Sequence, residues 1–350
     1  MDLLKGFRAS PRTVKSIGEL DAFRGRWETL GRLAPERLST LRRVAALESV
    51  ASSTRIEGVT LSDREVERLL SNIEIQSFET RDEQEVAGYA DLMETIFGSW
   101  PEISLTESHL LGLHSTLLKH SDKDTRHRGK YKTLPNRVEA FDASGKSLGV
   151  VFDTASPFET PALTRELVDS TRAELERDQH HALLVIGSFI VRFLAIHPFQ
   201  DGNGRLSRAL TTLLLLRAGY AYAPYSSMER VIEENKDAYY LALRRTQATL
   251  KGDEPDLEPW MDFFLDALLA QKSRLEGKLD DLRLLEPLAP LSEKILEIVR
   301  DQGRTTVREV VALTGANRNT VKTHLSRLVT AGQLVLHGKG KGSWYELWSE

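Results

Sequence analysis

The sequence predicts a mainly α-helical protein that carries one β-hairpin and ends in a small α+β unit. Before Glu286, apolar residues recur at spacings of three and four, the period of helices that bury one face. One stretch in this region alternates with the period of a strand, and the pattern changes again after Glu286. With 350 residues, the chain is long enough for two or three domains.

Helical spacing covers most of the region before Glu286. The predicted helices are Leu38–Val59, Asp82–Phe97, Glu107–Lys119, Pro161–Glu176, His180–Ile196, Gly204–Ala218, Asn235–Thr249 and Leu257–Leu282. The predicted hairpin pairs Asn136–Phe141 with Ser147–Phe152 through the turn Asp142-Ala143-Ser144-Gly145.

The C-terminal unit begins where Glu286-Pro287-Leu288-Ala289-Pro290 interrupts the last long helix. Three helices are predicted after it, at Leu291–Asp301, Val307–Leu313 and Asn317–Ala331. Strands at 333–337 and 343–348 follow, joined by a turn rich in glycine and lysine. This order of elements predicts a winged helix-turn-helix.

Composition excludes several classes of site. The chain has no cysteine, which rules out disulfides, thiolate chemistry and zinc sites built on cysteine and suits a reducing cytoplasm. A net charge of -4 does not indicate a protein that coats nucleic acid as a whole, although a local basic face remains open. Met1–Arg12 has no apolar run typical of a signal peptide. The most apolar stretch, Ala182–Ile196, is short and contains Arg192, so we predict a buried helix and no membrane association.

The most informative segment is His197-Pro198-Phe199-Gln200-Asp201-Gly202-Asn203-Gly204-Arg205-Leu206-Ser207-Arg208, between two predicted helices. Its glycines allow a tight turn, and the free N–H groups at the start of the next helix form an anion site. Arg205 and Arg208 share one helix face and suit a polyphosphate, while Asp201 suits a bridging Mg²⁺. His197 can accept a proton near neutral pH. These parts fit group transfer from a nucleotide to a hydroxyl.

This segment resembles the signature of the Fic family, His-Pro-Phe-x-Asp-Gly-Asn-Gly-Arg-x-x-Arg, at every specified position. The resemblance implies a Fic-type helical core and an adenylyltransferase that moves AMP from ATP to a Ser, Thr or Tyr hydroxyl of a target protein. It implies that His197 is the general base and Asp201 the Mg²⁺ ligand. The nucleotide-binding positions it implies are Gly202, Asn203, Gly204, Arg205, Leu206, Ser207 and Arg208.

A second resemblance lies upstream, in Ser53-Thr54-Arg55-Ile56-Glu57-Gly58. It matches the family's inhibitory motif, Ser/Thr-x-x-x-Glu-Gly/Asn, in the class that places this helix before the catalytic core. The resemblance implies that Ser53 and Glu57 belong to an inhibitory helix. It also implies that Glu57 pairs with Arg208, which would otherwise hold the γ-phosphate. A carboxylate on that guanidinium would remove it from phosphate binding.

The sequence leaves two interpretations open for the hairpin and for Tyr240. The hairpin falls where the family has a flap that pairs with the target backbone, and a purely structural hairpin fits equally well. Tyr240 is a candidate contact for the base or ribose, with core packing as the alternative. The remaining histidines show no metal-ligand spacing.

The C-terminal unit is locally basic. The segment from Gly303 to Lys341 contains seven basic residues and a single acidic residue, Glu309. The basic residues are Arg304, Arg308, Arg318, Lys322, Arg327, Lys339 and Lys341. A basic third helix suits the major groove of DNA, and the alternative is a protein-contact module.

We therefore predict three parts: an N-terminal helical segment with the inhibitory helix (1–64), a Fic catalytic domain (65–285) and a winged helix-turn-helix domain (286–350). The predicted substrates are ATP with Mg²⁺ and a protein hydroxyl, and the family resemblance also allows a homodimer. Two alternatives remain open. One is a DNA-binding regulator whose Fic domain senses nucleotide, and the other is a Fic enzyme that uses another donor or removes AMP.

Overall fold

A computed structural model describes residues 1–33, 35–71, 78–141, 147–281, 289–330, 333–338 and 340–347. The chain forms two compact units, Met1–Lys278 and Leu279–Glu350. The predicted boundary between 285 and 286 lies outside the described residues, and the boundary between 64 and 65 stays a prediction.

Where the structure describes it, the first unit is helical apart from one hairpin, as the sequence predicts. Its helices are α1 (Pro11–Leu33), α2 (Pro35–Ile56), α3 (Asp63–Ser71), α4 (Arg81–Ser99), α5 (Glu107–Leu117), α6 (Thr160–Arg177), α7 (Ala182–Ile196), α8 (Asn203–Arg217), α9 (Met228–Glu234), α10 (Lys236–Gln247) and α11 (Glu258–Asp281). Helices α1, α3 and α9 have no counterpart among the predicted elements. The last two are too short to show several turns of apolar spacing.

Local sequence explains where several helices begin. Thr80 accepts from the backbone N–H of Glu83, whose side chain reaches back to the Thr80 backbone, so α4 starts in a capping box. Thr106 caps α5 by accepting from the N–H of His109. These side chains satisfy backbone donors that the first helical turn leaves without a partner.

Helices α7 and α8 form the centre of the first unit. Almost every residue of α7 is buried, including Arg192, whose Nη2 donates to the Leu3 carbonyl oxygen at 3.1 Å. A helix that is apolar around its whole circumference belongs in a core. Within the described residues, no helix is both long and apolar enough to cross a membrane. Helix α2 packs against α4 and α9, which brings its C-terminal end towards α8.

The hairpin consists of β1 (Arg137–Phe141) and β2 (Ser147–Asp153), paired antiparallel with two register shifts. The predicted turn from Asp142 to Gly145 lies outside the described residues. The hairpin is inserted between α5 and α6 and leads the chain back to the central helices.

In its described residues, the second unit has three α-helices and a three-stranded antiparallel sheet. They are α12 (Pro290–Gln302), β3 (Arg304–Thr305), α13 (Val307–Thr314), α14 (Arg318–Thr330), β4 (Leu334–His337) and β5 (Trp344–Leu347), with strand order β3-β5-β4. Its core includes Ile295, Val310, Val321, Leu325 and Tyr345. Strand β3 was not among the predicted elements, because two residues carry no alternation pattern.

Helices α4 and α5 approach each other closely at Gly88. A Cβ at this position would overlap the carbonyl oxygen of Leu117, whereas a Cβ on Gly98 in the same helix would meet no atom within 4 Å. Gly88→Ala should therefore lower the free energy of unfolding by about 1–3 kcal/mol. Gly98→Ala should change it by less than about 1 kcal/mol. Urea unfolding of both variants checks this, and equal effects would contradict the close approach.

Candidate active site

The candidate site is the loop that joins α7 to α8. His197 ends α7 in the left-handed conformation, with φ 53°, and Gly202 enters α8 with φ 80°. A left-handed histidine is uncommon and persists only where its surroundings fix it. The two turns carry the chain sharply from one buried helix into the next and place residues 197–202 at their junction.

His197 has a defined tautomer. Its Nδ1 lies 3.2 Å from the carbonyl oxygen of Leu194, which can only accept, so Nδ1 carries the proton. Nε2 is then the basic nitrogen. Burial lowers the pKa of His197 to about 4, so the imidazole is neutral at physiological pH. The residue is available as a proton acceptor.

The N-terminus of α8 offers unused backbone donors. Gly202 is its N-cap and supplies no side chain to cap the first turn. The Asn203 side chain turns inward instead: its Oδ1 accepts from the Phe199 N–H at 2.9 Å and its Nδ2 donates to the Phe199 carbonyl oxygen at 2.8 Å. Asn203 thus braces the loop, and the helix N-terminus remains suited to an anion.

Two predicted nucleotide-binding positions have buried side chains that face other groups. Leu206 is 0% exposed and belongs to the core. The Ser207 hydroxyl donates to the Gly204 carbonyl oxygen at 2.8 Å. Any contact of these two residues with a nucleotide would have to involve their backbone.

Asp201 is surrounded by positive groups. Its Oδ1 accepts from the Gly202 N–H at 2.6 Å and lies 3.3 Å from Arg205 Nη2, while its Oδ2 lies 3.2 Å from Lys123 Nζ. Burial opposes ionisation here, but Arg205 and Lys123 outweigh it and lower the pKa of Asp201 to about 2. The carboxylate is therefore charged and held next to the start of α8.

Arg205 is almost fully buried, with 2% of its surface exposed. Besides Asp201, its Nη1 contacts Glu85 Oε2 on α4 at 3.0 Å. A guanidinium in such a position needs a carboxylate partner, because an unpaired buried charge is strongly unfavourable. Arg205 thereby ties α8 to α4 as well as to the loop.

Arg208 contacts both predicted inhibitory residues. Its Nε donates to Ser53 Oγ at 2.9 Å, and its Nη2 donates to the Ser53 carbonyl oxygen at 2.9 Å and to Glu57 Oε1 at 2.7 Å. Arg208 is buried, while Glu57 reaches it from the edge of the site with 32% of its side chain exposed. Residues at the end of α2 therefore bind Nε and Nη2 of Arg208 on α8.

Gly204 makes room for this contact. A Cβ on Gly204 would overlap Glu57 Oε1 and would lie 3.3 Å from Arg208 Nη1. The Glu57 carboxylate thus lies directly against the first turn of α8, where the backbone donors are free. Glu57 therefore places a negative charge beside the start of α8.

The two tyrosines of α10 differ in their surroundings. Tyr239 is buried, and burial raises the pKa of its hydroxyl to about 12, although the positive charge of Arg208 acts to lower it. Tyr240 is partly exposed, and its ring centre lies 5.2 Å from that of Tyr239. Tyr239 therefore belongs to the Arg208 surroundings, and Tyr240 lies at their edge.

Two buried residues near the loop escaped the sequence analysis as site residues. His114 on α5 accepts from the Gly129 N–H through Nδ1 at 3.0 Å, donates to the Asp201 carbonyl oxygen through Nε2 at 3.1 Å, and stacks on Phe199 at 3.8 Å. Lys132 donates its backbone N–H to the Pro198 carbonyl oxygen at 2.9 Å. Burial lowers the pKa of Lys132 to about 8. Gly129-Lys130-Tyr131-Lys132 resembles the family's lead-in to the hairpin, but the sequence does not reveal the contacts of His114 or Lys132, because their partners are distant in sequence.

Comparison with known proteins finds similarity to part of the first unit. Residues 104–215 match the Fic/DOC family. A probable protein adenylyltransferase of Aquifex aeolicus is 31% identical over 108 residues, which cover 31% of this chain and 33% of that protein. The protein adenylyltransferase Fic of Drosophila willistoni is 24% identical over 254 residues, which cover 72% of this chain and 46% of that protein. The chain thus spans less than half the length of either curated relative.

A solved structure extends the likeness in fold. A Fic family protein from Desulfovibrio desulfuricans superposes with a TM-score of 0.65 at 21% identity, covering 99% of this chain and 98% of that one. Residues 287–343 match a family described as bacterial protein of unknown function, DUF977. The protein is thus mainly α-helical with the fold of a solved Fic family protein, and its residues 104–215 match the Fic/DOC family model.

Proposed function

We propose that this chain is a protein adenylyltransferase that transfers AMP from ATP to a side-chain hydroxyl of a protein. The observation that carries the proposal is the placement of a neutral His197, with a basic Nε2, beside the uncapped N-terminus of α8. A base next to an anion site is what transfer from a nucleotide to a hydroxyl needs. The names of the matched relatives support the same chemistry.

In the proposed reaction, the hydroxyl oxygen of the target attacks the α-phosphorus of ATP and its proton passes to Nε2 of His197. The bond between the α-phosphorus and the bridging oxygen to the β-phosphate breaks, and pyrophosphate leaves. The backbone donors of Gly204 and Arg205 at the start of α8 face the negative charge of the phosphates. Strands β1 and β2 would hold the target backbone by strand addition.

The residues of the loop fit a Mg²⁺ ion that arrives with the nucleotide. Within the described residues, no group of three or more His, Cys, Asp or Glu side chains could hold a metal without it. Mg²⁺ is often bound by one carboxylate together with substrate phosphates, and the ionised Asp201 beside α8 supplies that carboxylate. The ion would neutralise charge on the phosphates when bound.

The same proposal includes autoinhibition by Glu57. Among the described residues, Nη2 of Arg208 is bonded to Glu57 and Nε to Ser53, so only Nη1 is left for a phosphate and the guanidinium cannot bind it through two nitrogens. The carboxylate also lies against Gly204, where it would repel the incoming phosphates. The resting protein would thus bind ATP without placing it for transfer.

Removal of the carboxylate should activate transfer. We expect Glu57→Gly to incorporate label from α-labelled ATP into protein at least about tenfold faster than the wild type, because one charge-assisted contact of Arg208 is worth more than about 1.4 kcal/mol. Self-modification, measured by autoradiography with Mg²⁺ present, serves as readout because no target is known.

The matched control combines Glu57→Gly with His197→Ala, which removes the proposed base and should abolish labelling. Equal labelling in wild type and Glu57→Gly would refute inhibition by Glu57. Undiminished labelling in the double variant would refute the role of His197. Label transferred from another donor, or loss of AMP from a modified protein, would favour the alternative Fic chemistries.

The lowered pKa of His197 predicts that the rate of AMP transfer falls only at an unusually low pH. A general base acts in its deprotonated form, so a pKa of about 4 keeps it active well below the ordinary value of 6.5. In the Glu57→Gly variant, the initial rate at low ATP should stay nearly constant between about pH 5.5 and 7.5. A rate that falls by half near pH 6.5 would show that His197 has an ordinary pKa.

A second candidate function, binding of double-stranded DNA, concerns the C-terminal unit. Helix α14 contains no acidic residue, and Arg318, Asn319, Lys322 and Thr323 are all exposed on it. Its opposite face supplies Val321, Leu325 and Leu328 to the core. Within the described part of this unit, Arg318 and Lys322 form no ion pair. The predicted wing lysines, Lys339 and Lys341, have no described side chains.

These features support a recognition helix. Residues 315–317 separate α13 from α14, and such a short turn is typical of helix-turn-helix units. Exposed arginine, asparagine and threonine at the start of α14 can read base edges, and lysine can contact phosphates. A protein-contact role would not require this excess of positive charge.

Reversal of charge on α14 tests this function. Arg318→Glu combined with Lys322→Glu should weaken binding of the full chain to a fluorescent DNA duplex at least about tenfold. The slope of the logarithm of the binding constant against the logarithm of the salt concentration should fall by the amount expected for the loss of about one to two phosphate contacts. Lys294→Glu, on the exposed surface of α12, is the matched control and should change affinity much less. Absence of binding up to about 0.1 mM at low salt would favour a protein partner.

A further inference from the structure

Lys132 is a buried cation without a carboxylate partner among the described residues. Only 2% of its surface is exposed, and its Nζ donates to Asn136 Oδ1 at 2.8 Å, Thr154 Oγ1 at 2.9 Å and the Ile196 carbonyl oxygen at 3.0 Å. An ammonium has three protons, so every donor is used. Burial of an ammonium is unfavourable, and an apolar side chain of the same length would avoid that cost. Lys132 offsets that cost by satisfying three acceptors, which would lose this donor if the side chain were apolar.

The three acceptors come from three separate segments. Asn136 directly precedes β1, Thr154 directly follows β2, and Ile196 directly precedes His197. One side chain thus joins both ends of the hairpin to the last residue before the proposed base. The contact with Ile196 is to a backbone carbonyl, so it fixes the course of the chain at His197 whatever the side chain of residue 196.

Neighbouring contacts reinforce the same connection. The Asn136 amide donates to the Phe199 carbonyl oxygen at 2.8 Å, and the Lys132 backbone N–H donates to that of Pro198 at 2.9 Å. The Thr154 hydroxyl lies 2.9 Å from the Asn136 carbonyl oxygen. The segment from Ile196 to Phe199 and the base of the hairpin therefore form one hydrogen-bonded network around the Lys132 ammonium.

We propose that Lys132 is a positioning residue that sets the hairpin, as the holder of the target, at a fixed distance and angle from His197. This inference rests on the proposed function. The target hydroxyl must reach Nε2 of His197 while its backbone lies along the hairpin, so a small displacement between the two slows transfer strongly. Within the described residues, the hydrogen bonds of Lys132 go to Asn136, Thr154, Ile196 and Pro198 and not to residues 201–208, so we expect ATP binding not to depend on it.

Lys132→Met tests the proposal in the Glu57→Gly background. The substitution keeps the length of the side chain and removes its three hydrogen bonds. We expect AMP transfer to fall at least about tenfold. The affinity for ATP, measured by equilibrium binding with His197→Ala added to prevent turnover, should stay within about twofold. The control is Lys130→Met, the same change at an exposed residue two positions away, which should leave both quantities unchanged.

A second variant approaches the network from its other end. Thr154→Val removes the hydroxyl and keeps the side-chain volume, so it tests the network if Lys132→Met fails to fold. It should also slow transfer, and the two substitutions together should slow it less than the product of their separate effects, because both break one network. Independent, multiplicative effects, or a loss of ATP affinity parallel to the loss of transfer, would overturn the proposal.

Amide hydrogen exchange separates failure of this inference from failure of the proposed function. Exchange should accelerate in peptides that cover β1, β2 and residues 196–199 in Lys132→Met and not in Lys130→Met. If Lys132→Met accelerates exchange but its Glu57→Gly parent transfers no AMP, the proposed transferase activity is refuted and the coupling of hairpin and loop is retained. Unchanged exchange in the hairpin would refute the coupling whatever the activity.

Discussion

The arrangement of the first unit depends on the need to pair one buried guanidinium. Arg208 lies on α8, and Ser53 of α2 and Glu57 just after it supply acceptors from more than 150 residues away in the sequence. A buried arginine without such acceptors would destabilise the fold. The pairing therefore fixes the end of α2 against the start of α8. In the proposed function, the same guanidinium would bind a phosphate, so stability and catalysis would compete for it.

The loop between α7 and α8 is held by polar side chains from several directions. Asn203 braces Phe199 from within the loop, His114 holds the Asp201 carbonyl from α5, and Lys132 holds the Ile196 carbonyl from the segment before the hairpin. Irregular backbone in a protein interior must have its hydrogen bonds satisfied by such groups. The result is a loop set in one shape before any ligand binds, as electrostatic catalysis requires.

Much of the fold follows from the sequence because the helices of the first unit bury one face or their whole circumference. Periodicity places α4, α6 and α8 within a few residues of their observed ends, and alternation places the hairpin. It does not find α3, α9 or β3, which are too short to express a period. The predicted pairing of Glu57 with Arg208 came from resemblance to a family, and the two side chains are in contact.

The parts that sequence could not supply are tertiary contacts of single polar residues. Nothing local marks Lys132 as buried, because its three acceptors are separated from it by 4, 22 and 64 positions. His114 lies among apolar residues of a helix, a pattern that signals burial but not its partners. The inward turn of the Asn203 side chain likewise depends on a loop shape that only the packed helices define.

The most direct measurement of the central claim is the ratio of the affinities for ATP and ADP, determined by equilibrium binding in proteins that carry His197→Ala. If Glu57 holds Arg208, the γ-phosphate adds no binding energy in the protein that carries His197→Ala alone. The ratio of the affinities for ATP and ADP should then be close to one. With Glu57→Gly added, ATP should bind about tenfold more tightly than ADP, and Arg208→Ala should abolish that preference. The same preference for ATP with and without Glu57 would contradict the claim that Glu57 withholds Arg208 from the nucleotide.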